Sequence, residues 1–202
     1  AAGGRTFCLF TSLRAMREAH ALIDAGLRSR GLDFPVLLQG DGSRTALLAR
    51  FRELGNAVLV GSQSFWEGVD VRGPTLSLVM IDRVPFAPPD DPVLTARIER
   101  INAAGGNAFM DYQLPHAVIL LKQGAGRLIR DENDRGVLMI CDPRLISKPY
   151  GRRVWQSLPP MRRTRVLAEV TAFLASLDGA PRSDEATDAA GSDAREDVPA
   201  ED

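Results

Sequence analysis

Two arginines three positions apart, Arg127 and Arg130, follow the small run Gly124-Ala125-Gly126 in the stretch KQGAGRLIR. A guanidinium is permanently charged and presents a planar fork of donors, so a pair of them suits phosphate or carboxylate oxygens. Glycine weakens a helix interior by about 1 kcal/mol relative to alanine, and a Gly-Ala-Gly run therefore calls for a compensating use. Close approach of a ligand or partner to the backbone is one such use. Offsets of four and three place Gln123, Arg127 and Arg130 on one helical face.

Two further clusters combine polar groups without an obvious packing role. Thr11-Ser12 follows an apolar run and precedes a helical pattern, where hydroxyls and free backbone N–H groups form a phosphate site; the same residues also serve as simple N-caps. The stretch GSQSFWEGVD brings together Ser62, Gln63, Ser64, Phe65, Trp66, Glu67, Gly68 and Asp70. Phe65 and Trp66 are equally readable as core anchors, and Glu67 and Asp70 as salt-bridge partners of Arg127 or Arg130. Ligands in open α/β sheets gather at the carboxyl ends of strands, and all three clusters are expected there.

Other chemistries are poorly supplied. The glycines of GAGRLI follow a helical pattern instead of a strand and lack a third glycine, so the dinucleotide fingerprint fails its context. No G-x-S-x-G elbow and no G-x-x-x-x-G-K-[ST] phosphate loop is present. Cys8 and Cys141 are the only cysteines, and His20 and His116 the only histidines. That excludes a disulfide framework or a four-thiolate site within this chain, and no metal site is expected. Cys8 reads as a small hydrophobe, His20 as a boundary residue of an apolar stripe, and His116 lacks a nucleophilic partner.

The elements that must position these groups alternate. RTFCLF reads as a buried strand, and Leu13, Met16, His20, Ile23 and Leu27 recur at helical spacing until Gly31. PVLLQ, AVLVGS, LSLVMID and GVLMICD read as further strands. Residues 43–54, 93–102, 109–122 and 164–177 read as helices, with a short one around Val154-Trp155-Leu158. After strand four, Pro85, Pro88, Pro89 and Pro92 exclude helix and sheet within RVPFAPPDDP, residues 83–92. Alternating elements with continuous apolar strands predict an α/β fold, a mainly parallel sheet with helices on both faces.

Charge is segregated. Residues 179–202 hold eight acids and two arginines, net −6, leaving 23 basic and 18 acidic residues, net +5, over residues 1–178. Of the 25 basic residues 23 are Arg, a composition that suits anionic ligands, although Arg-rich codon usage would give the same count. One globular domain over 1–178 and a disordered acidic tail over 179–202 are expected. No apolar run is long enough to span a bilayer and AAGGRTFCLF lacks a signal-peptide pattern, so a cytoplasmic protein without membrane contact is expected.

In order and spacing, FTS, QGDGSR, GSQSFWEGVD, IDRVPFAPPDDP, KQGAGRLIR and DRGVLMICDPRL resemble the C-terminal motor domain of the DinG/YoaA-type ATP-dependent DNA helicases, in the XPD-like branch of superfamily 2. The likeness covers residues 6–177, and the ending CDPRLISKPYGRRVWQSLPP looks closer to the YoaA branch. It implies a RecA-like (P-loop NTPase-type) fold, the second motor domain of a helicase. By the same likeness Arg127 and Arg130 reach the phosphates of ATP, one as an arginine finger, and Gln123 helps position them. The run ending in Gly126 lets a helix start lie close to the nucleotide. Glu67, Gly68 and Asp70 match the motif at the ATP cleft that couples it to DNA. Thr11, Ser12, Ser62, Gln63 and Ser64 match positions gripping single-stranded DNA, with Trp66 or Phe86 as a stacking aromatic.

The resemblance also implies what lies elsewhere. An N-terminal helicase domain would carry the phosphate loop and bind most of the ATP and Mg²⁺, and an iron–sulfur cluster is expected in that half and not here. Movement 5′ to 3′ on single-stranded DNA, work in repair or replication, and contact with the clamp-loader χ subunit of the replicative polymerase are further implications. This chain alone should be inactive as an ATPase. The alternatives are a stand-alone DNA- or replisome-binding module without turnover, and a nucleotide-dependent enzyme that is not a helicase.

Overall fold

The computed structural model describes residues 1–62, 65, 75–126, 128 and 134–178. The expected tail over 179–202 lies outside the described residues. Five strands, β1 (Thr6–Phe10), β2 (Val36–Leu38), β3 (Val58–Ser62), β4 (Leu78–Ile81) and β5 (Val137–Ile140), form one sheet in the order β2-β3-β1-β4-β5. Every neighbouring pair is parallel.

Alternation along β1 shows why its sequence is apolar from Phe7 to Phe10. Phe7 and Leu9 face a core shared with α2 (Arg44–Leu54) and α4 (Leu114–Ala125), through Leu47, Phe51, Leu114 and Leu121. Cys8 and Phe10 face the opposite layer, where Met16 of α1 (Leu13–Arg28) packs with Val58 and Val60. A strand covered on both faces has no polar side to offer. Burial, reinforced by nearby Cys141, pushes the Cys8 thiol up to about 12, so it packs as a hydrophobe.

Helix starts follow local chemistry. The side chains of Ser12 and Ser43 accept N–H bonds from Ala15 and Ala46, capping α1 and α2. Asp91 accepts from Val93 and Leu94 at the start of α3 (Pro92–Ala103), whose first residue is proline. The helix expected over 109–122 is split. A π-helical turn, Phe109–Gln113, precedes α4, and the Leu114 N–H donates to the Phe109 carbonyl five residues back. Pro115 has no N–H to give to the carbonyl four residues earlier, and the widened turn absorbs that missing bond.

After β5 come α5 (Arg144–Ser147), which has no counterpart among the elements expected from sequence, α6 (Gly151–Ser157) and α7 (Leu167–Asp178). The last starts three residues later than the expected Thr164, whose hydroxyl instead accepts the Val166 N–H.

One close contact follows the end of α4. Leu128 is 4% exposed within the core, and it packs so closely on Gly136 that a Cβ there would lie 2.4 Å from the Leu128 side chain and 3.0 Å from the Ser77 carbonyl. Leu128→Ala should therefore lower unfolding free energy by about 2–5 kcal/mol, the usual range for a buried leucine, measured by urea denaturation of the 202-residue chain. A loss under about 0.5 kcal/mol, the size of an ordinary surface substitution, would show that Leu128 is no anchor.

Candidate functional site

A parallel sheet gathers the carboxyl ends of its strands on one rim, and here each is followed by a polar residue. Thr11 and Ser12 follow β1, Gln39 follows β2, Ser62 ends β3, Asp82 follows β4 and Asp142 lies just beyond β5. The Thr11 N–H donates to Asp82 Oδ1 at 3.0 Å and the Thr11 hydroxyl faces Oδ2 at 3.4 Å. Burial raises the Asp82 carboxyl above its ordinary range, against the opposing pull of the Thr11 and Arg83 N–H groups. Beside them, the Ser62 N–H and hydroxyl both donate to Gln39 Oε1, at 2.6 and 2.9 Å.

This geometry separates the hydroxyls proposed from sequence. The Thr11 proton points at a carboxylate and the Ser62 proton at an amide oxygen. The exposed Ser12 hydroxyl accepts the Ala15 N–H at 3.4 Å and donates to no described residue. Its proton and the N-terminal N–H groups of α1 together form the better anion-binding group. Gln39 and Asp82, the partners that hold Ser62 and Thr11, fall within the quoted motifs QGDGSR and IDRVPFAPPDDP but are not among the candidate site residues read from sequence. Their position at adjacent strand ends is the signal that finds them.

Gln63, Ser64, Trp66, Glu67, Gly68 and Asp70 lie outside the described residues. Phe65 is a core anchor: it is buried in the main cluster, with the Arg44 guanidinium 5.6 Å from its ring centroid. A Cβ on Gly61 would lie 3.1 Å from Phe65 Cβ, so the glycine admits the phenylalanine across the end of β3. Phe86 is likewise engaged, with Phe109 at 5.6 Å, Tyr150 at 6.0 Å and Arg144 at 5.2 Å from its ring. A ring packed on these sides is a poor platform for a base. His20 bridges α1 and β2, with Nε2 3.5 Å from the Val36 carbonyl oxygen.

Asp142 closes the rim on the β5 side. Its buried carboxylate accepts the Val84 N–H at 2.9 Å, the Arg144 N–H at 2.9 Å and the Arg144 guanidinium at 2.6 Å. Burial alone would raise the carboxyl, but the Arg144 side chain and the two N–H groups together hold it below its ordinary range.

The described part of KQGAGRLIR, residues 122–126 and 128, is not on this rim. α4 runs back across the sheet, so the Gly124-Ala125-Gly126 run closes that helix rather than starting one, and Leu128 meets Gly136 and Ser77 at the amino ends of β5 and β4. For Gln123 and Gly126 the expectation of a place at the carboxyl ends is therefore corrected. A helix joining two parallel strands must return to where the second strand begins. Gln123 and Gly126 are exposed on the last turn of α4, opposite the buried Leu120, Leu121, Gly124 and Ala125. Arg127 and Arg130 lie outside the described residues. Among the described residues no helix is long and apolar enough to cross a membrane, and no group of three or more His, Cys, Asp or Glu could hold a metal ion.

Residues 1–161 match the family model described as the helicase C-terminal domain. The chain belongs to this family. Within it, the chain is 55% identical over 172 residues to the ATP-dependent DNA helicase YoaA of Escherichia coli (strain K12), an alignment covering 85% of this chain and 26% of that protein. It is 48% identical over 177 residues to the ATP-dependent helicase DinG of Mycobacterium tuberculosis (strain ATCC 25618 / H37Rv), covering 88% and 26%. The chain thus spans about a quarter of the length of the curated relatives it matches. A solved apo structure of XPD superposes with a TM-score of 0.56 at 24% identity, over 76% of this chain and 31% of that one. That likeness concerns the fold alone, and the parallel sheet of this helicase C-terminal domain is accordingly RecA-like.

The Asp142 clamp sets a pH dependence. A carboxyl whose folded pKa lies below its unfolded value of about 3.9 contributes stability above that pH and loses it as pH falls through the folded value. Urea midpoints of this helicase C-terminal domain should fall on acidification below about pH 4. In Asp142→Asn the part of that slope due to the clamp should vanish; an unchanged acid slope would refute it.

Proposed function

We propose that this chain is the second motor domain of an ATP-dependent 5′–3′ DNA helicase acting in repair or replication in the cytoplasm. Its membership of the helicase C-terminal domain family over residues 1–161 carries the reading. The partner it requires is an N-terminal helicase domain bearing the phosphate loop, the residues that bind most of the Mg²⁺, and an iron–sulfur cluster. ATP held there supplies the phosphoryl transfer that drives movement.

In this reading Arg127 and Arg130 are directed at the transferring phosphoryl oxygens, one as the arginine finger, and Gln123 orients them. The exposed Gly126 and Gln123 support it, since the helix end is open to a facing lobe. Positive charge placed where negative charge develops lowers the barrier, and fingers of this type contribute about 10³–10⁵ in rate. Glu67, Gly68 and Asp70 couple the nucleotide cleft to DNA. On the rim, Ser12 donates to a backbone phosphate beside the α1 N-terminus, and Ser62, Gln63, Ser64 and Trp66 extend the track. Thr11 is positioned by Asp82 and acts through its backbone. Gripping backbone instead of bases lets a motor step over any sequence. The clamp-loader χ subunit is a further proposed partner, and the chain by itself does not turn over ATP.

In a protein that contains both halves, Arg130→Ala should cut DNA-stimulated ATP hydrolysis by about 10³ or more while DNA affinity stays largely intact; unchanged turnover would defeat the assignment. On the rim, Ser12→Asp keeps a good N-cap and should preserve thermal stability while weakening single-strand binding. Thr11→Val should change binding by about twofold at most, since its hydroxyl hydrogen bond is engaged within the protein. Equal losses for the two variants, measured by fluorescence anisotropy, would contradict the ranking of these hydroxyls.

A further inference from the structure

Residues 143–165 carry seven basic side chains and no acid. Arg-rich composition accounts for many arginines but not for the exclusion of carboxylates from a stretch this long. Three of the seven have partners: Arg144 clamps Asp142, Arg162 meets Glu169 at 3.2 Å, and Arg163 donates to the Trp155 carbonyl at 2.9 Å with its guanidinium 5.6 Å from the Trp155 ring centroid. The other four, Lys148, Arg152, Arg153 and Arg165, are exposed and form no ion pair with a described residue.

The elements that carry these charges are contiguous. α5 begins just past Asp142, at the rim, and Gly151 at the start of α6 packs against the Leu145 backbone of α5, where a Cβ would lie 2.0 Å from the carbonyl oxygen. The Arg163 bond to Trp155 ties the segment before α7 onto α6. A cavity of about 730 Å³ beside the edge strand β5 is lined in common by Trp155, Arg163 and Arg165. Neighbouring like charges repel unless a polyanion is present, and four exposed cations without partners have none within the described fold.

We infer that the surface formed by Lys148, Arg152, Arg153 and Arg165, along the β5 edge of the domain, is a second nucleic-acid backbone contact that continues from the rim. It neutralises phosphates without reading bases, and it carries the strand, or the duplex beyond it, past β5. This inference rests on the helicase reading for its ligand, but the residues are distinct from those of the rim and the arginine motif.

Salt dependence of binding by the 202-residue chain tests it, with a labelled oligothymidylate and a labelled duplex as the two probes. Removing three phosphate-neutralising cations in Arg152→Gln, Arg153→Gln and Arg165→Gln combined should flatten the slope of log affinity against log salt by about 2 on single strands and about 3 on duplex. Loss on one probe only assigns the surface to that form of DNA. Combined Arg→Lys changes at the same positions should retain the slope, which a merely structural role of the arginines would not do. A Gln variant with the wild-type slope on both probes overturns the inference, whether or not Ser12→Asp weakens binding. If Ser12→Asp is inert while the Gln variant loses binding, the rim assignment fails and this surface stands. Competition by an acidic polypeptide stronger than that by oligonucleotide of equal charge would reassign the surface to a protein partner and overturn it.

Discussion

Every strand of the sheet points the same way, and that single constraint sorts the polar groups of this domain onto two separate edges. Each carboxyl end opens onto the rim that holds Ser12, Gln39, Ser62 and Asp82, while each connecting helix returns its chain to the amino edge. Leu128, just after α4, therefore lies beside Gly136, at the far end of β4 and β5 from Asp82. At about 3.3 Å per residue the strands separate the two edges by roughly 15 Å.

The rim is less uniformly attractive to phosphate than its hydroxyls suggest. Asp82 and Asp142 place carboxylates at two of its strand ends, one held by Thr11 and one clamped by Arg144. A hydrogen already donated within the protein is not available to a ligand without breaking that bond. The existing hydrogen bonds, more than residue type, distinguish Ser12 from Thr11 and Ser62. Gln39 and Asp82 act by accepting those bonds, and in doing so they fix the backbone of the two neighbouring strand ends.

Much of this is legible in the residues. The stripe from Leu13 to Leu27 and the apolar runs of β1 and β3 announce their elements, because burial on one face or two leaves a period in the sequence. The π turn before Leu114 is not legible, since helix and π turn share nearly the same pattern and differ only in where Pro115 leaves a carbonyl without a partner. The 71-residue link from Thr11 to Asp82 depends on strand order, which periodicity does not encode. The edge on which KQGAGRLIR emerges is hidden for a simpler reason: the motif's composition suits a strand end, and only the direction of the helix that carries it sends it to the other side. The residues at 63–64, 66–74 and 127–133 that bear most of the proposed site chemistry are recognisable only through resemblance.

Leu128 is wedged between backbone at the start of β5 and the residue before β4, in a stretch with an arginine just before it and another two residues after it. Any residue larger than glycine at position 136 would displace Leu128, so the close fit depends on the glycine as much as on the leucine.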